Sequence, residues 1–319
     1  MSQLHDTARE MYTNKKGTVS TSLAPLLKNL SYHSYTAFLF GISDAKTIWF
    51  PSFVFAFCTA ISLNQFGFPE APSFTSLLIQ SPKAFFWVWI NHIVFAINNQ
   101  RRQESILEDA LNKPWRPLPS KRLTPSQAWA WVCFFYLFAL ATSLHIGGTW
   151  PCLLLAAQGH WYDGLGGGSD SVFTRNLLNA GGYSQFFAGA LEVIAGGHLP
   201  RTKQLLIWEG VIATMIFTTI HAQDMQDQEG DANRGRRTFP LVVGDANARW
   251  LTVIPIVFWS IFCPAYLASP LMGYVTSTVL GATVFTRFLL LRTPVQDSWT
   301  FLCWTIWLMA ILVLPLWKA

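Results

Sequence analysis

The chain alternates long apolar runs with short polar stretches. Nine runs reach or approach the roughly 20 residues that a helix needs to cross a hydrocarbon core. They cover 46–64, 82–100, 126–146, 149–162, 173–196, 205–223, 248–267, 270–291 and 298–317. The fourth is short and ends in the polar sequence GHWYDGLGGGSD. No strand-like alternation of apolar and polar residues competes over any length. The pattern predicts an all-α, polytopic integral membrane protein with about nine transmembrane helices.

Composition agrees. Of 319 residues, 51% are hydrophobic and 12% charged, against about 25% charged in a soluble domain. The lipid bilayer is therefore an expected partner. No basic patch with interleaved aromatics points to nucleic acid, and none is expected to bind. Nothing in the sequence bears on oligomeric state. The five cysteines, Cys58, Cys133, Cys152, Cys263 and Cys303, lie in apolar runs without CxxC spacing and are expected to be buried, inert thiols.

Charge placement gives an orientation. With the N-terminus in the cytoplasm, eighteen of the 22 Lys and Arg fall on the cytoplasmic side, leaving Lys83, Arg201, Lys203 and Lys318 opposite. This bias is that of the positive-inside rule. It places two large polar loops, 101–125 and 224–247, on one face. The endoplasmic reticulum is the expected membrane, with the N-terminus and both loops cytosolic. Residues 1–40 divide from the transmembrane part at 41–319. They begin with a polar tail lacking the apolar core of a secretory signal. The stretch SLAPLLKNLSYHSYTAFLF that follows is a candidate interfacial amphipathic helix.

The second loop reads HAQDMQDQEGDANRGRRTFPLVVG. Asp224, Asp227 and Asp231 are spaced i, i+3, i+7 and would share one face of a continuing helix. Crowded carboxylates repel, and a divalent cation relieves that repulsion. Mg2+ takes carboxylate oxygens together with substrate phosphate oxygens. Arg234, Arg236 and Arg237 follow and suit an anionic group. The first loop, NNQRRQESILEDALNKPWRPLPSKR, repeats the order of acids then bases. Asn98, Ser105, Asp109 and Asn112 lie near one helical face, as do Arg101, Glu104, Glu108 and Asn112. Lys113, Arg116 and Arg122 come next, in a turn stiffened by three prolines. Two such loops on one face suggest a metal-bridged diphosphate held between them.

NKPWRPLPSKR resembles the signature N-[RK]-P-x-R-P-x-P-[SA]-G-R of the UbiA superfamily of intramembrane prenyltransferases. DMQDQEGDANRGRRTFPLVVG is similar to its second motif, D-x-x-D-x-x-G-D followed by G-[KR]-R-T-x-P-x-x-x-G. SDAKTIWFPSFVF and RNLLNAGGYSQFFAGA resemble the first-helix pattern of fungal members and the fifth-helix pattern of the family. The resemblance spans residues 40 to 317. It implies nine helices around a cavity open to lipid, and Mg2+-dependent ionisation of a polyprenyl diphosphate. By match, Asp224, Asp227, Asp231 and Asp109 would bind metal, with Glu108 beside Asp109. Arg116, Lys113, Arg234, Arg236 and Lys46 would hold the diphosphate.

The first loop departs from the family pattern. Arg101 stands where the family has Asn, Ser105 where it has Asp, and Lys121 where Gly is usual. This altered form is similar to the fungal UbiA-type terpene cyclases, and more faintly to their branch making cyathane-type diterpenes. The resemblance implies a cyclase acting on a C15 or C20 prenyl diphosphate without an acceptor; transfer to an acceptor is the alternative and a non-enzymatic transporter or scaffold the remote one. An allyl cation needs a dry cavity and gains from aromatic faces. Trp87, Trp89, Trp161, Tyr162, Tyr183, Phe186, Phe187 and Trp208 are candidates for those faces. Asn98, Ser105, Asn112, Tyr162, Tyr183 and His221 are the candidate cavity residues. Asn91, His92, Glu192, Glu209 and Arg287 are polar groups within apolar runs, and such groups are functional suspects. The sequence does not identify the group that ends the cascade.

Overall fold

The computed structural model describes residues 23–317, which are helical with no strand among them. They fall into two units, one ending at Phe38 and one beginning at Leu39. The expected polar tail over residues 1–22 lies outside the described residues. The described residues of the first unit all lie in helix α1 (Leu23–Gly41), whose Leu26, Leu27 and Leu30 are exposed.

In the second unit, a helix or helical stretch covers each of the nine apolar segments. After a π-helical turn at Ala45–Trp49 come α2 (Phe50–Ile61), α3 (Phe74–Gln100) and the short α4 (Gln103–Asn112). The chain continues through α5 (Pro125–Ile146), α6 (Thr149–Gly159), α7 (Gly167–Asp170), α8 (Val172–Ile194) and α9 (Lys203–Thr219). Two short helices, α10 (Gln228–Asn233) and α11 (Phe239–Val243), precede α12 (Asp245–Tyr266), α13 (Leu271–Leu290) and α14 (Pro294–Val313). Four stretches, Pro125–Ile146, Lys203–Met225, Asp245–Tyr266 and Pro294–Trp317, are long and apolar enough to cross a membrane by length and composition.

Local chemistry sets the helix starts. α5 and α14 each open with Thr-Pro and a Gln at the third helical position. Thr124 accepts from Gln127 N–H and Thr293 from Gln296 N–H, while each Gln returns a bond to the cap. Proline at the first position wastes no donor. α8 and α9 are capped by Ser171 and Thr202.

α8 is the hub, touching α2, α3, α6 and α9. Its Gly189 lets the wholly buried Trp87 ring of α3 come so close that any Cβ there would collide with it. The Trp87 indole N–H is satisfied by Ser143 Oγ of α5 at 2.8 Å. α12, α13 and α14 pack in sequence, and α14 closes back on α2.

A cavity of about 390 Å³ is walled by α3, α5, α6 and α8 and by residues 44–48. The thiols are more varied than expected. Cys58, Cys152 and Cys263 are buried, but Cys133 is exposed, because it falls on the outward face of α5 beside exposed Phe134 and Leu137.

Candidate active site

The expected helix through the three aspartates does not form. α9 gives way to a 3-10 stretch at Ile220–Met225, the chain bends at Gln226 and Asp227, and α10 then carries Asp231. Asp224 and Asp231 point inward and are buried, while Asp227 is open to solvent on one side and packed against protein on the other. Protein packed around Asp227, helped by the charge of Asp231, pushes its carboxyl up to about 6. In the first loop, α3 stops at Gln100 and the chain restarts as α4. Ser105 and Asp109, one turn apart, are buried. Burial raises the Asp109 carboxyl against the pull of Arg116 and Lys113.

Asp109, Glu108, Asp224 and Asp231 each meet an arginine. Arg116 Nη1 donates to both oxygens of Asp109 at 2.9 Å. Arg236 Nη1 donates to Asp231 Oδ1 at 2.9 Å. Arg234 joins the loops, giving Nη1 to Glu108 Oε2 at 2.7 Å and Nη2 to Ser105 Oγ at 3.1 Å. Arg175 of α8 gives Nη2 to Asp224 Oδ1 at 2.8 Å and Nη1 to Tyr162 Oη at 2.7 Å and Gly168 O at 2.9 Å. Two buried oxygens, Asp224 Oδ2 and Asp231 Oδ2, have no hydrogen-bond partner among the described residues. A buried acceptor left unpaired costs roughly 1–3 kcal/mol, more when charged.

Those orphan oxygens fit a divalent cation. Among the described residues no three His, Cys, Asp or Glu side chains converge on a common point. Mg2+ does not require such a cage, because it usually takes one or two carboxylates and completes its shell with water and substrate phosphate. Asp224 and Asp231 are the residues suited to hold it.

Arg116 and Arg175 also line the cavity, so the charged layer meets the cavity directly. Asn98, Gln223, Tyr162, Tyr183, Phe95 and Phe186 contribute to the same wall.

Residues 104–311 match the UbiA prenyltransferase family. The chain belongs to this family. It is 30% identical over 290 residues to the fumagillin beta-trans-bergamotene synthase of Aspergillus fumigatus, covering 88% of this chain and 91% of that one. It is 27% identical over 235 residues to a diterpene cyclase of Hericium erinaceus, covering 69% and 71%. A solved structure of digeranylgeranylglyceryl phosphate synthase shares the fold at a TM-score of 0.60 and 17% identity, covering 89% of this chain and 99% of that one. The chain is thus a UbiA-family integral membrane protein with terpene synthases and cyclases among its relatives.

In this UbiA chain three of the six expected cavity residues, Asn98, Tyr162 and Tyr183, line the cavity. The other three are not among its lining residues. Ser105 turns its hydroxyl to Arg234 instead. Asn112, at the end of α4, is exposed. His221 is held between the stacked ring of Phe239, at 4.0 Å between centroids, and Asn176 Nδ2 at 3.2 Å from its Nδ1. Lys46 is exposed on the π-helical turn and Lys113 half-buried, and neither lines the cavity.

Of the aromatic candidates, Tyr162, Tyr183 and Phe186 line the cavity, while Trp87, Phe187 and Trp208 are packing residues. Glu192 and Glu209 are a scaffold pair around Arg201, whose Nη1 reaches Glu209 Oε1 at 2.9 Å. Sequence reasoning passed over Arg175 and Asp163. Asp163, buried after α6, accepts from Asn98 Nδ2 at 3.4 Å, and burial pushes its carboxyl up to about 6. A lone Arg and a lone Asp flanking a Gly-rich turn carry no spacing that marks them.

Proposed function

We propose that this protein is a Mg2+-dependent membrane terpene cyclase. It takes a C15 or C20 prenyl diphosphate, ionises it, and closes the carbocation to a terpene hydrocarbon or alcohol. The observation that carries this reading is the pair of unpartnered carboxylate oxygens on Asp224 and Asp231, set among arginines above a cavity lined by aromatic and apolar side chains. The likeness to a bergamotene synthase and a diterpene cyclase supports it.

A bound divalent cation would supply positive charge to the diphosphate as it leaves. The chain's own groups do the rest. Arg116 faces the cavity with Asp109 fixing its guanidinium, and a fork of this kind matches phosphate oxygens. Arg234 and Arg236, with Lys113, add charge at the rim. Ionisation breaks the bond between the allylic carbon and oxygen, and the electron pair leaves with the diphosphate. Preorganised donors lower the cost of that charge as it develops. The allyl cation then lies against Tyr162, Tyr183 and Phe186, each aromatic face contributing about 0.5–2 kcal/mol. Loss of a proton or capture of water ends the cascade. All nine apolar helices span the bilayer in this reading, with the acid loops on the cytosolic face of the endoplasmic reticulum.

Transfer of the prenyl group to an acceptor is the second reading, favoured by the fold shared with digeranylgeranylglyceryl phosphate synthase. One experiment separates the two. Membranes holding the protein are incubated with Mg2+ and farnesyl or geranylgeranyl diphosphate, without acceptor. A cyclic terpene is expected. Diphosphate release only when an acceptor is added would establish transfer instead. No turnover by inserted protein with any pair would leave a transporter or scaffold.

A further inference from the structure

Among the described residues the cavity wall holds one carboxylate and one imidazole, Asp44 and His92. They are neighbours, with His92 Nε2 3.4 Å from Asp44 Oδ2. The other face of the ring is taken, since Trp49 Nε1 donates to His92 Nδ1 at 3.1 Å. An indole N–H can only donate, so Nδ1 supplies the lone pair and the ring proton sits on Nε2, directed at Asp44. The arrangement is closely built. Gly41 packs against it so tightly that a Cβ there would stand 3.2 Å from His92 Nδ1 and clash with the Trp49 ring. The His92 side chain is 1% exposed and that of Asp44 37% exposed, so the carboxylate is the open end of the chain Trp49–His92–Asp44.

A cascade that ends in a hydrocarbon needs a proton acceptor beside the last cation. His92 has no free lone pair. The guanidinium groups of Arg116 and Arg175 have no acceptor lone pair, and the tyrosine hydroxyls and the Cys152 thiol of the wall are weak acceptors. Asp44 remains. We propose that Asp44 is the catalytic base that ends the cyclisation, with His92 and Trp49 as its positioning residues. This inference rests on the cyclase reading.

In the step, a C–H bond next to the cationic carbon breaks and its electron pair becomes the new C=C bond. The proton passes to an Asp44 oxygen and leaves later with the released diphosphate or with water. Burial works against the charge on Asp44, but His92, with Arg116 and Lys113 further off, holds the carboxyl below its usual range. A carbocation is so strong an acid that placement and charge matter more than basicity.

The test compares wild type with Asp44→Asn, using Mg2+ and a prenyl diphosphate without acceptor. Released diphosphate and terpene products are both measured. The amount of wild-type hydrocarbon per diphosphate released is expected to fall by about tenfold or more. Water-captured alcohols or earlier-terminated rings take its place. His92→Gln is expected to move this ratio the same way by less, with KM for the diphosphate unchanged. An unchanged ratio in Asp44→Asn would overturn the inference and point to the diphosphate itself as acceptor. Loss of all diphosphate release from inserted Asp44→Asn would also overturn it, by assigning Asp44 to ionisation. Should Asp44→Asn fail to insert, the same ratio is read in Asp44→Ala, where a wild-type value overturns the assignment. If wild type releases diphosphate only with an acceptor, the cyclase reading has failed and takes the base assignment with it.

Discussion

Two regions of this molecule bury arginine against aspartate, and they are finished differently. In the C-terminal helices, Arg249 gives Nη1 and Nη2 to the two oxygens of Asp297 at 2.7 Å each, Nη1 also to Phe288 O at 3.0 Å, and Nε to Asp245 at 2.9 Å. Neither Asp297 oxygen is left over. At the loop site, Arg175 and Arg236 each take one oxygen of Asp224 and Asp231 and leave the other bare. The first arrangement is complete and ties α12 to α14. The second leaves an acceptor open on each aspartate, which is where the proposed cation would sit. Composition does not separate the two; satisfaction does.

The largest expected effect tests the unfinished site. Asp224→Asn keeps the shape but removes the charge and should lower diphosphate release by about 10²–10³-fold, with the protein still inserted; near-normal turnover would end the metal assignment. The finished site should respond the other way. Asp297→Asn leaves Arg249 buried with a weakened partner, and a cost approaching the roughly 3–5 kcal/mol of a broken buried pair is expected. Thermal unfolding in detergent should fall accordingly, while product identity per folded molecule stays the same. A changed product profile would mean that the two regions are coupled.

Smaller effects sharpen the contrast. Arg234→Ala cuts the link between the loops, and a charge-assisted contact of this kind is worth about 1.5–3 kcal/mol. KM for the prenyl diphosphate should rise by about tenfold or more. The pH response has a defined sign. Asp227 binds its proton more tightly folded than unfolded, so its contribution to stability is present at low pH and is lost as pH rises towards about 6. Metal-free protein should therefore melt lower at pH 7.5 than at pH 5.5 by this contribution. Mg2+ should raise the melting temperature more at the higher pH, where no proton competes. Equal shifts at both would break the link between Asp227 and the cation. The smallest effect concerns Lys121, which sits at φ 58° where the family usually has Gly. A left-handed non-glycine residue costs about 1–2 kcal/mol. Lys121→Gly should raise stability by up to that amount and leave turnover unchanged.

Much of this was legible in the chain. In a sequence so poor in charge, DMQDQEGD and NKPWRP stand out, and Arg116, Arg234 and Arg236, which follow the acids, do lie beside them. What failed to show is what depends on pairing between distant helices. Asp44 and His92 meet across 48 positions of sequence, and no periodicity connects them. Arg175 was visible only as one residue of a helix pattern, yet it reaches Asp224 from 49 positions away. The helix expected through Asp224, Asp227 and Asp231 fails because the chain tightens into a 3-10 stretch from Ile220 and then bends. His221, expected in the cavity, instead meets Asn176 and stacks on Phe239.

The bond from Arg234 to Glu108 bridges 126 positions of sequence. During synthesis, the first loop is therefore made and inserted long before its counterpart exists. No half-built chain carries both arms of the site, and a nascent protein stalled in the connection around residue 200 would be catalytically silent. A chain severed there and supplied as two pieces would regain the site only when the pieces find one another in the same bilayer.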